Sequence, residues 1–192
     1  MSKAFVVLGV FALCFSSVTF AGEDGWKNLK WGMDSKKAKN IYCGAENRDS
    51  DIRPYYNSEY AVNAILKKKG VSVASAYSSV VNDLNIISCG GENPIDLPIV
   101  YNGQVMGVVK DLSKIGFEHD KAVQDNIMSQ LKSSFPSGKI TTEKSYNGKR
   151  YPAFDYSSSQ ITVFNNEGNL FLLSTNGVQA LIKDRMGSDL NL

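Results

Sequence analysis

Two cysteines, Cys43 and Cys89, remain once an export-type leader is set aside, and no other feature restricts the fold as much. Paired thiols in an oxidising compartment tend to close into a disulfide. The spacing is not C-x-x-C, so the pair reads as structural rather than redox-active. Closing the loop between them would stabilise the folded chain by roughly 4 kcal/mol on the chain-entropy account. The alternative is two independent buried thiols.

The leader is residues Met1 to Ala21. Lys3 gives it a positive start, Ala4 to Phe15 is almost unbroken apolar sequence, and Thr19-Phe20-Ala21 is a small-x-small cleavage pattern. The apolar run is too short to cross a bilayer of roughly 30 Å as a helix. Cys14 lies inside that run behind the bulky Leu13, which argues against lipid attachment. No later stretch is long and apolar enough to span, so no transmembrane segment is expected in the mature chain. A periplasmic or secreted location is expected after cleavage near Ala21.

The remaining residues, 22–192, suit a single domain with a real core. Their charges are 20 basic against 19 acidic. That balance excludes the strongly basic footprint of a nucleic-acid binder.

The first half reads unevenly. Trp26 to Met33 alternates apolar and polar residues, which suits a short strand. Asp34 or Ser35 can cap a helix to Tyr42, with Cys43-Gly44 as its end. Ala45 to Asn57 is polar and contains Pro54, which predicts a loop. Ser58 is placed to cap a helix over Glu59 to Lys69, with Lys67-Lys68-Lys69 at the negative end of its dipole and Gly70 as the stop. Residues 71–87 fit both periods; the spacing of Val73, Tyr77, Val80 and Leu84 favours a helix from Ser72 to Leu84.

The second half is plainer. Asn102-Gly103 predicts a tight hairpin between Ile99–Tyr101 and Gln104–Val109. Asp120 opens a helix to Ser134 whose ridge is Val123, Ile127, Leu131 and Phe135. Strands are expected over Ile140–Tyr146, Arg150–Tyr156, Gln160–Phe164 and Asn169–Thr175, followed by a helix from Val178 to Met186. Pro152 should put its strand at an edge, or turn its non-bonded side outward. The order predicts an α+β fold, an antiparallel sheet packed against helices. The long helix should bury its ridge against Ile161, Val163 and alternate residues of Leu170–Leu173.

Candidate chemistry is thin. His119 is the single histidine, among charged residues at a helix start, and lacks the partners a zinc site needs. Gly70-Val71-Ser72-Val73-Ala74 falls one glycine short of a nucleophile elbow, and three lysines precede it where a buried strand belongs. Asp49 and Asp51 begin a calcium-loop pattern that fails at Pro54 and Tyr60. No catalytic residue, metal ligand or cofactor is assigned. Tyrosine and tryptophan join apolar area to a polar handle and favour binding surfaces. Tyr55-Tyr56, beside Pro54, is the pair singled out as a binding surface.

At Trp31-Gly32-Met33-Asp34-Ser35 the chain resembles the W-G-M-S-x-E-E-V opening of many small exported bacterial proteins. These are mostly uncharacterised α+β domains in which a short strand runs into a capped helix. Lys36-Lys37-Ala38 departs from the acidic residues usual there. The resemblance implies a bacterial envelope setting and the strand-to-helix geometry, and carries over no activity and no site residue. Together these readings lead to the expectation of a non-enzymatic binding protein for a protein or envelope component, the inhibitor or immunity type included. The alternative is a small serine hydrolase using Ser72 and His119.

Overall fold

The computed structural model describes residues 22–47, 49–71, 84–90, 94–144, 148–166 and 168–186. It opens on a tight hairpin, β1 (Gly25–Trp26) against β2 (Leu29–Lys30). The chain from Gly32 to Ser35 then runs beside the start of a later strand, bonded through Gly32 N to Val105 O and Val105 N to Met33 O, each 2.8 Å. Asp34 Oδ1 accepts from the N–H groups of Lys36 and Lys37 at 3.0 and 3.1 Å and so starts α1 (Ser35–Cys43). This is the capping expected of a short carboxylate.

Residues 45–57, expected as loop, contain β3 (Asp51–Pro54). That strand is a sheet edge with only Ile52 half-buried, so it has no alternating pattern to betray it, and an edge accommodates Pro54. Next comes α2 (Ser58–Lys68), whose N-cap is Asn57. Ser58 is buried instead, and its Oγ accepts from Leu84 N–H at 3.2 Å. The helix expected over Ser72–Leu84 falls almost wholly on residues outside those described. Beyond them, β4 spans Asn85–Ser88.

The hairpin at Asn102-Gly103 joins β5 (Asp96–Tyr101) to β6 (Gln104–Asp111). Both turn residues take positive φ, 49° and 74°, as a twisted two-residue hairpin requires. A 3₁₀ turn, Leu112–Ile115, leads to α3 (Lys121–Ser134), capped by Asp120. The meander β7 (Lys139–Lys144), β8 (Arg150–Ser157), β9 (Ile161–Asn166) and β10 (Asn169–Ser174) follows, and α4 (Thr175–Met186) starts directly from it.

The fold is α+β. One eight-stranded antiparallel sheet has the order β3-β4-β5-β6-β10-β9-β8-β7. It consists of two four-strand meanders, each ending at the centre, joined through the β6–β10 pair. At that seam Gly107 stands opposite Leu173. A Cβ on Gly107 would lie 2.5 Å from both Leu172 O and Leu173 Cδ2, so the seam demands glycine.

Helices cover both faces. On one, Trp26, Leu29, Ala38, Ile127, Leu131 and Phe135 pack on Ile161, Val163, Leu170 and Leu172, as the ridge of α3 predicted. On the other, α2 and α4 bury Ile65, Leu66, Val178, Leu181 and Ile182 against Ile99, Val109, Phe171 and Leu173. Two covered faces explain why Leu170 to Leu173 is a continuous apolar run. Among the described residues no helix is long and apolar enough to cross a membrane.

Cys43 and Cys89 form the disulfide, with Cα atoms 5.2 Å apart, tying the end of α1 to the residue after β4. Pro152 is not on an edge strand, because β7 covers β8. The β8–β9 ladder stops at Asp155 opposite Phe164, and a side chain continues it. Asn165 Oδ1 accepts from Phe154 N–H at 2.5 Å, and its Nδ2 donates to Pro152 O at 3.0 Å.

Candidate functional site

The tyrosine doublet is divided by the fold. Tyr55 is 2 % exposed and its N–H donates to Leu84 O at 2.9 Å. Burial, with Tyr56 beside it, pushes its phenol up to about 12. Tyr56 is 75 % exposed, its ring edge-on to Tyr55 at 5.4 Å. The doublet therefore presents one accessible ring.

His119 is exposed, in the turn before α3, with its N–H donating to Gly116 O. Ser72 lies outside the described residues. The lysine run is tied down locally: Lys68 pairs with Asp155, and Lys69 Nζ donates to Thr162 Oγ1 at 3.1 Å. Burial and the neighbouring Lys68 hold the Lys69 ammonium below its ordinary range. Among the described residues no group of three or more His, Cys, Asp or Glu is gathered for a metal ion.

Elsewhere a cleft of about 670 Å³ lies at one end of the β6–β10 seam. Its size falls within the ~300–1,000 Å³ usual for small-molecule sites. The first meander contributes Tyr101, Asn102, Gln104, Val105 and Met106 from the β5–β6 hairpin. The second contributes Ser159 and Gln160 from the β8–β9 turn, Ser174 from the end of β10, and Asn176, Gly177 and Ala180 from α4. Glu23, Asp24, Lys30, Trp31 and Gly32 close it from the N-terminal hairpin.

Local structure accounts for these placements. The bond from Gly32 N to Val105 O and that from Trp31 N to Asp24 O (3.2 Å) fix Trp31 beside β6. Tyr101 donates its hydroxyl to Asp184 Oδ2 at 2.6 Å, and Asn102 Nδ2 reaches the same oxygen at 3.1 Å. These two donors hold the Asp184 carboxyl below the usual carboxylate range and pin α4 to the hairpin. Ser174 Oγ accepts from Gly177 N–H at 3.3 Å, starting α4 at the cleft wall. A Cβ on Gly177 would meet Met106 Cγ at 2.4 Å, so glycine lets α4 approach β6.

Within this frame some polar groups are committed and others free. Glu23 Oε1 accepts from Tyr156 at 3.1 Å. Gln104, Gln160 and Asn176 are exposed and make no side-chain hydrogen bond among the described residues. Trp31 is half-buried, and its Nε1–H, like that of Trp26 in the core, is withdrawn from solvent with no acceptor among the described residues. An indole N–H only donates, and leaving one buried and unpaired costs about 1–3 kcal/mol. The cleft thus combines an aromatic residue with uncommitted amides, which is equipment for holding a polar ligand.

Sequence reasoning noted Trp31 for its opening motif and passed over the amides, which occupy turn and cap positions where such residues are ordinary. No family model, curated protein or solved structure matches the chain.

Proposed function

We propose that this protein is an exported, non-enzymatic binding protein that holds a protein or envelope component in the cleft at the β6–β10 seam. The observation that carries the reading is the cleft itself, about 670 Å³, with Trp31 in its wall. The uncommitted Gln104, Gln160 and Asn176 support it, since polar groups at a binding site are kept for the ligand. Export is supported by the leader pattern and agrees with the disulfide, which persists where thiols are oxidised.

The test is retention of components from an envelope extract on immobilised mature protein. Wild type and Tyr56→Ala should retain the same component. Gln160→Arg, which fills the cleft from an exposed turn, should release it while circular dichroism and melting stay unchanged. Retention indifferent to Gln160→Arg, or none at all, would overturn the reading.

A further inference from the structure

The lining of the cleft discriminates among ligand classes. Anions are opposed, because Glu23 and Asp24 stand in the lining with Lys30 as the sole cation among its described residues. An acyl chain would find Val105, Met106 and Ala180, but would strip water from Gln104, Gln160 and Asn176 without replacing it. Burying an amide without a partner costs several times what a made hydrogen bond returns. A peptide adding a strand needs an open sheet edge. β6 and β10 are the two central strands, and the cleft lies across their ends.

A sugar ring satisfies all of these constraints. Each hydroxyl both donates and accepts, and so does each primary amide, so Gln104, Gln160 and Asn176 can pair with hydroxyls in either sense. The C–H face of a pyranose is apolar and packs on aromatic surface, which Trp31 provides. We infer that the cleft takes a short neutral oligosaccharide, held by the three amides and stacked against Trp31. This rests on the binding reading above and narrows it to one chemical class.

The chain has two tryptophans, so its indole N–H signals number two, which makes the test direct. Mature ¹⁵N-labelled protein is titrated to tens of millimolar with cellotriose, maltotriose and triacetylchitotriose in turn. At least one should move the Trp31 indole signal saturably, with Trp26, fully buried in the core, unmoved. Gln160→Ala and Asn176→Ala, both at exposed positions, should each weaken that response about 3- to 10-fold, as loss of one hydrogen bond does. A response that neither substitution weakens overturns the assignment.

A second arm separates this inference from the reading beneath it. The component retained from envelope extract is treated with periodate, which cleaves vicinal diols, or with protease. Loss of retention after periodate alone supports the saccharide. Loss after protease alone, with no response to the three trisaccharides, overturns the saccharide and leaves the cleft as a binding site for protein. Retention insensitive to Gln160→Arg removes both.

Discussion

Lys110, buried at the end of β6, places its Nζ 2.5 Å from Asp96 Oδ1 across the β5–β6 pair. The two are not equally sheltered: Lys110 is 3 % exposed in its side chain and Asp96 18 %. Asp96 also has Lys27 at 3.6 Å, and its backbone carbonyl accepts from Tyr42 at 2.8 Å. The Trp26 ring lies under both ammonium groups, 4.2 Å from Lys27 Nζ and 5.7 Å from Lys110 Nζ. Burial holds the Lys110 ammonium below its ordinary range, and Asp96 opposes that shift.

The asymmetry predicts unequal substitutions. Asp96→Ala takes the carboxylate away from a buried cation and should cost about 3 kcal/mol in urea unfolding. Lys110→Met removes the buried charge and leaves Asp96 with Lys27 and partial solvent, so it should cost less than about 1 kcal/mol or stabilise. Equal losses for the two variants would contradict this account.

The disulfide gives a second expectation. Cys43→Ser or Cys89→Ser should lower unfolding stability by roughly 4 kcal/mol, since the bond closes a loop of sequence separation 46. Mature protein analysed without reductant should show no thiol open to alkylation.

Asn165 is a side chain doing the work of a strand. Asn165→Ala should leave Phe154 N–H buried without its acceptor and cost about 2–3 kcal/mol. Hydrogen exchange at the Phe154 amide should accelerate selectively. Unchanged exchange there would show that β8 holds its course without this bond.

Alkaline pH should unfold the protein partly through Tyr55. Its folded pKa, about 12, exceeds the ordinary 10.0, so the stability it contributes is complete below pH 10 and is lost as pH rises to about 12. In that window the unfolded chain releases a proton the folded chain retains. Tyr55→Phe should flatten this limb of the stability profile, measured by denaturant melts across pH 9–12.

The legible parts of the chain are those whose signals are local. Asn102-Gly103, the Asp34 and Asp120 caps and the ridge of α3 are each written within a few residues, and each was readable. Strand β3 was not, because an exposed edge imposes no alternation. The Tyr55-Tyr56 doublet is divided by a turn that no local pattern announces: Ser58 N–H donates to Tyr55 O, which leaves Tyr55 in the core and Tyr56 outside. The cleft was hidden by distance, since Trp31, Gln104, Gln160 and Asn176 meet only through the β6–β10 pairing.

That pairing has a consequence for energetics. Neither meander contains the cleft; it comes into being when β6 docks on β10. A ligand lodged there contacts both halves and acts as a clasp, adding its binding free energy to the joint itself. Occupancy and the union of the two halves then become one equilibrium, so protection of the β6 and β10 amides should rise with ligand concentration before that of the outer strands.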